Sequence, residues 1–101
     1  MASYKLIIDP GATQDVQQAI DYYETRGHGL GIKFESALNK QLLSLQKNPF
    51  FQIRYDDVRC LPLSKYPYMV HFTINEAHQL IIIRGVFNTA RDPSVWQHRV
   101  S

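Results

Sequence analysis

Two prolines frame the feature that most constrains this chain. Asp9-Pro10 and Asn48-Pro49 bracket a stretch with a helical repeat, and after Pro49 the repeat changes to that of strands. An aspartate followed by proline combines an N-cap acceptor with a residue that suits the first helical position. A residue before proline is pushed out of the helical region, so Asn48 marks a stop. Between them, Ala12, Val16, Ala19, Ile20 and Tyr23 recur on one helical face. Arg26-Gly27-His28-Gly29 interrupts the pattern, and Leu30, Phe34, Ala37, Leu38, Gln41 and Leu45 resume it. Two helices joined by so short a break are expected to form an antiparallel hairpin.

Strand patterns flank the hairpin. Tyr4 to Ile8 is short and mostly apolar, and Gln52 to Tyr55 and Val58 to Leu63 surround an Asp56-Asp57 irregularity. Tyr68 to Ile74 alternates, with Tyr68, Val70, Phe72 and Ile74 on one side and Met69, His71 and Thr73 on the other. Leu80 to Phe87 is apolar on both faces apart from Arg84, as in a central strand. Asp92-Pro93 repeats the helix-start signature and predicts a short C-terminal helix carrying Trp96 and Arg99. The order predicts an α+β fold: a helical hairpin on one face of a small, mostly antiparallel sheet, with a short C-terminal helix. With 101 residues and no linker or repeat, residues 1–101 are expected to form one domain.

Charge is unevenly spread. The net charge is +2, but residues 1–57 balance to −1 and residues 58–101 to +3. The first helix is acidic, with Asp9, Asp15, Asp21 and Glu24 against Arg26. A basic second half suits a polyanion or an acidic partner, although ordinary surface charge gives a similar excess. Cys60 is the sole cysteine, which excludes an internal disulfide and favours a reducing compartment. No secretory signal pattern or membrane-length apolar run is evident, so a cytoplasmic location is expected.

Metal chemistry finds no pattern. His28, His71, His78 and His98 lack zinc-site spacing, and no cofactor motif is present; Gly27, Gly29 and Gly31 follow a helix rather than a strand. Cys60 is expected to be a small buried thiol, with Arg59 as the neighbour able to lower its pKa. The arginines of the second half carry more information. Arg59 and Arg84 lie on predicted strands, and Arg91 and Arg99 flank the predicted last helix. Arginine on a rigid strand can hold a phosphate through paired hydrogen bonds. The competing reading for Arg84 is an ion pair with an acid such as Asp92. Tyr66, Tyr68 and Trp96 could stack on bases beside these arginines, or simply pack with a polar tip at the surface.

In order, the chain carries Asp15, Tyr22-Tyr23-Glu24, Gly29-Leu30-Gly31, Phe34, Leu45 and Asn48-Pro49. It continues with Val58-Arg59, Lys65-Tyr66-Pro67-Tyr68, Arg91-Asp92-Pro93, Trp96 and Arg99. This succession resembles the RelE/ParE superfamily of type II toxin–antitoxin toxins over nearly the whole length. The resemblance implies the same α+β fold and a plasmid-stabilisation-like growth inhibitor. It also implies a cognate antitoxin that wraps an extended and helical segment around the toxin in a hetero-oligomer.

RelE-like members cut messenger RNA on the ribosome with basic and aromatic side chains; ParE-like members poison DNA gyrase without chemistry of their own. The sequence departs from the nuclease pattern. Tyr68 stands where the resemblance places a phosphate-binding arginine, and Asn88 stands at a position often occupied by histidine. Asparagine does not exchange a proton near neutral pH. Candidates for a residual nuclease site are Arg59, Arg84, Arg91, Trp96 and His98, with His71 and His98 the imidazoles best placed to supply a base. Candidates for binding are Arg59, Lys65, Tyr68, Arg84, Arg91, Trp96 and Arg99. The expectation is a ParE-like gyrase poison. The alternatives are a ribosome-dependent mRNA endoribonuclease and an inactive toxin-fold interaction module.

Overall fold

The computed structural model describes residues 3–90. Seven elements follow in order: β1 (Lys5–Ile8), α1 (Pro10–Arg26), α2 (Leu30–Lys47), β2 (Ile53–Tyr55), β3 (Val58–Pro62), β4 (Tyr68–Asn75) and β5 (Leu80–Asn88). The predicted hairpin and strands are all present. The predicted helix after Asp92-Pro93 lies outside the described residues.

The helix ends follow their local chemistry. Asp9 is extended, Pro10 opens α1, and the Thr13 amide donates to the Asp9 carbonyl at 3.0 Å. The break between the helices works through one left-handed glycine and one carboxylate. Gly29 adopts φ +83°, a region L-residues with a β-carbon seldom enter. Glu24, in the last turns of α1, reaches forward to accept the amides of Gly29 and Gly31, both at 3.0 Å. A carboxylate at a helix start satisfies orphan N–H groups and opposes the helix dipole. These two backbone hydrogen bonds hold the Glu24 carboxyl below its ordinary value of 4.5.

The sign of that shift sets a test. A depressed folded-state pKa contributes stability above the ordinary value, and the contribution is lost as pH falls through the lowered one. Glu24→Gln is therefore expected to melt a few degrees below the parent at pH 7. The gap should close as pH is taken below 4.5. A gap that is constant with pH in thermal melts would remove the charge from the account.

The sheet order is β1-β5-β4-β3-β2. β1 runs parallel to β5, with Leu6 opposite Ile81 and Ile8 opposite Ile83; the other pairs are antiparallel. β5 is thus an inner strand, as its double-sided apolar run predicts. The helices cover one face. Ala12, Ala19, Phe34, Leu38, Leu42 and Leu45 meet Leu61, Leu63, Val70, Phe72, Ile81, Ile83 and Val86 in a buried cluster. Asp15 is the buried polar tie between layers: its carboxylate accepts the Val86 amide at 3.0 Å.

One irregularity reorganises the sheet. Between His71 and Phe72 the pairing on β5 jumps from Gly85 to Ile83, so Arg84 is an extra residue in a β-bulge. The bulge resets the side-chain alternation. Ile81 and Ile83 before it, and Val86 after it, all face the helices, while Arg84 is turned to the opposite face beside Thr73. That opposite face is less polar than the alternation in β4 predicts: His71, Thr73 and Phe87 are all buried there.

Candidate functional site

The predicted site residues separate into distinct surroundings. Arg84 lies on the face away from the helices. Its guanidinium donates from Nε to Thr73 Oγ1 at 3.1 Å and from Nη1 to Asp9 Oδ2 at 3.1 Å. The ion-pair reading is realised, but the partner is Asp9 at the end of β1, not Asp92, which lies outside the described residues. Asp57 and Glu76 line the same shallow recess as Arg84. Carboxylates on several sides disfavour an incoming phosphate, so the surroundings suit a structural pair better than an anion site.

Arg59 is opposite Phe72 across the β3–β4 ladder and therefore shares the helix-side face, not that of Arg84. It donates to the Phe51 carbonyl at 2.7 Å and lies 5.5 Å from the centroid of the Phe50 ring. Its role is to tack the segment after Pro49 onto the sheet. Arg59 and Arg84 hence form no common groove. Arg91, Trp96, His98 and Arg99 lie outside the described residues.

Tyr68 and Asn88 are brought together. They are direct cross-strand partners, and with Asp15, Gln18 and Tyr22 they line a recess of about 200 Å³. The Tyr68 ring is held against Phe34 at 5.2 Å, within a cluster that includes Tyr23 and Tyr66. Burial, followed by the neighbouring phenols Tyr68, Tyr22 and Tyr66, raises the Tyr23 pKa. The recess offers amides, phenols and the Asp15 carboxylate, which already accepts the Val86 amide, but among the described residues it has neither a guanidinium nor an imidazole at its lining. It can hydrogen-bond a partner, yet its described lining lacks the imidazole that exchanges a proton near neutral pH.

A second cluster is one that sequence spacing did not suggest. On the face away from the helices, Tyr55 Oη lies 2.9 Å and Cys60 Sγ 3.6 Å from His71 Nδ1. His71 is 1% exposed, which removes it as a general base for an external substrate. Cys60 and His71 are partners across the β3–β4 ladder, a pairing visible only once the register is known. Burial pushes the thiol up to about 11, and the opposing pull comes from Arg54 rather than Arg59. The Tyr55 phenol is likewise raised, chiefly by burial. The thiol is a packed group, as expected, and not a nucleophile. Among the described residues, no three His, Cys, Asp or Glu side chains are arranged to hold a metal ion.

Lys65 occupies the turn between β3 and β4 at φ +72°, a conformation seldom held by a residue with a side chain. The turn is closed by the Leu63 amide donating to the Tyr68 carbonyl at 2.9 Å and the Tyr68 amide to the Tyr66 carbonyl at 2.8 Å.

No protein-family model matches the sequence, and neither does any curated protein. Solved structures do match. One from the chromosomal ParDE TA system of P. aeruginosa superposes with a TM-score of 0.75 at 20% identity, covering 85% of this chain and 96% of that one. The fold is that of the RelE/ParE toxins. The toxin–antitoxin complex RelBE2 from Mycobacterium tuberculosis gives a TM-score of 0.65 at 15% identity over 90% of this chain and 97% of that one. The intact E. coli RelBE toxin–antitoxin complex gives 0.61 at 15% identity over 88% and 100%. The RelE/ParE fold is thus preserved where sequence identity is low. In this chain the layering is a helical hairpin on a sheet whose first strand, β1, lies beside β5.

Proposed function

We propose that this chain is the toxin of a type II toxin–antitoxin pair, a growth inhibitor held inactive by a cognate antitoxin in a hetero-oligomer in the cytoplasm. The observation that carries the reading is the RelE/ParE fold across most of the chain. No helix among the described residues is long and apolar enough to cross a membrane.

Within that class we favour a ParE-like poison of DNA gyrase. Tyr68 and Asn88 replace the arginine and histidine that the resemblance associates with RNA cutting, and they line a recess with no guanidinium or imidazole among the described residues. Arg84 is engaged by Asp9 among carboxylates. The similarity to the RelBE complexes favours a second reading, the ribosome-dependent endoribonuclease.

Brief expression without antitoxin separates them. The gyrase reading expects growth arrest with gyrase-linked DNA breaks and no ribosome-phased transcript ends. Phased cleavage would shift the assignment to the nuclease, and the lack of any arrest would leave an inert interaction module. Arg84→Ala sharpens the comparison. Both members of the pair are about a third exposed (35% and 36%), so breaking it should cost no more than about 1 kcal/mol. Full arrest by this variant is expected for the gyrase poison. Arrest and cutting lost together, in a variant that still folds, would place Arg84 in a nuclease site.

A further inference from the structure

The described surface contains a basic face on α2 that lies beside Lys65 and is built from lysines not discussed above. Lys33, Lys40 and Lys47 are spaced by seven residues along α2, which places them on one side of the helix about 10 Å apart. All three are exposed. The sole acidic residue of α2, Glu35, falls on the opposite side, where it lines a different recess with Leu38 and Leu42. A face that serves only solubility ordinarily mixes both signs.

Beside this file, α2 and the β3–β4 turn enclose a recess of about 640 Å³. Lys40, Ser36 and Ser44 line it from the helix, Ser64 and Lys65 from the turn, and no carboxylate among the described residues contributes. The two walls are locked together. Gln41 accepts the Ser64 amide at 2.7 Å and donates to the Pro62 carbonyl at 3.4 Å. Tyr66 is wedged edge-on against Phe34 at 5.1 Å and Tyr23 at 5.3 Å. Lys65 is held here in the left-handed conformation at φ +72°, where glycine is the unstrained choice. A strained lysine on a rigid turn, aligned with a one-signed lysine file, indicates a side chain retained for what it contacts.

We propose that this groove binds the phosphodiester backbone of a nucleic acid, with Lys33, Lys40, Lys47 and Lys65 as the phosphate contacts and the serine hydroxyls as secondary donors. The site goes beyond the toxin assignment and does not depend on whether gyrase or the ribosome is attacked. Lysine contacts to phosphate are sequence-independent and salt-sensitive.

The test uses the full-length protein with fluorescein-labelled 20-nucleotide single-stranded and duplex DNA and RNA, titrated at several salt concentrations. Lys65→Gly separates function from structure. Relief of the left-handed strain should leave Tm equal or higher, while affinity falls about three- to tenfold and the salt slope becomes shallower by roughly one. Lys40→Gln should weaken binding to a similar degree. Parent protein that binds no oligonucleotide overturns the proposal, as do variants that bind like the parent; either result leaves growth arrest to be judged separately. Polyglutamate forms the comparison arm. Variants impaired toward polyglutamate but not toward oligonucleotides would give the groove to an acidic protein segment and end the nucleic-acid assignment.

Discussion

Phe34→Ala is expected to lower Tm by roughly 15–30 °C, corresponding to a loss of about 3–5 kcal/mol. The ring is fully buried and stacked on Tyr23 at 5.2 Å, with Tyr66 and Tyr68 against it at 5.1 and 5.2 Å. Its removal takes away the transfer contribution of a buried aromatic and leaves a void that three rigid rings cannot fill without leaving their rotamers. The effect should reach the β3–β4 turn, since Tyr66 anchors it. Near-ultraviolet circular dichroism, which reports ordered tyrosines, should weaken well below the main transition. A shift of less than 5 °C, with the tyrosine signal intact, would refute the packing of this cluster.

Gly31→Ala should be almost as damaging, at about 2–3 kcal/mol or roughly 10–20 °C. On helix propensity alone, alanine would stabilise this position by up to about 1 kcal/mol. The surroundings reverse the sign. A β-carbon at Gly31 would meet the Ile20 carbonyl oxygen at 2.7 Å, with Ile20 Cγ2 at 3.0 Å and the Glu24 carboxylate at 3.1 Å. A backbone oxygen can move only if α1 moves, so the two helices would have to separate or the Glu24 cap would break. Gly29→Ala is the useful comparison: its β-carbon meets nothing within 4 Å, and only the φ of +83° opposes it. Chemical denaturation that finds Gly31→Ala as stable as the parent would show that the helices do not approach so closely.

Features carried by neighbouring residues were legible in the sequence. Asp9-Pro10 and Asn48-Pro49 mark the outer limits of the helical hairpin because proline sterics are local effects, although the Asp9 carboxylate makes no cap bond and pairs with Arg84 instead. The alternation of Tyr68, Val70, Phe72 and Ile74 identified the core face of β4 for the same reason. What escaped depends on register between distant segments. The bulge at Arg84 turns that side chain away from the helices, and Asp9 lies beside it only because β1 pairs with β5. The Tyr55, Cys60 and His71 cluster requires β2, β3 and β4 in their observed alignment. Gly31 showed in sequence as part of a helix break, whereas its need for glycine comes from a neighbouring helix. Among the candidate site residues, the pairing of Tyr68 with Asn88 likewise became visible only with the sheet.

The parallel pairing of β1 with β5 bears on how the protein comes into being. β1 is made before its partner and has no strand to lie against until residues 80–83 have been made. Contacts separated by so much chain form slowly, since a long loop must close before the gain is realised. A translation product that stops before β5 would have helices and a three-stranded β2–β4 meander, but no Ile81 and Ile83 to complete the core, no partner for β1 and no Asp9–Arg84 clasp. Closure of the sheet is thereby withheld until residues 80–83 have been made, so β1 and the last described strand are joined late, after the helical layer between them in sequence.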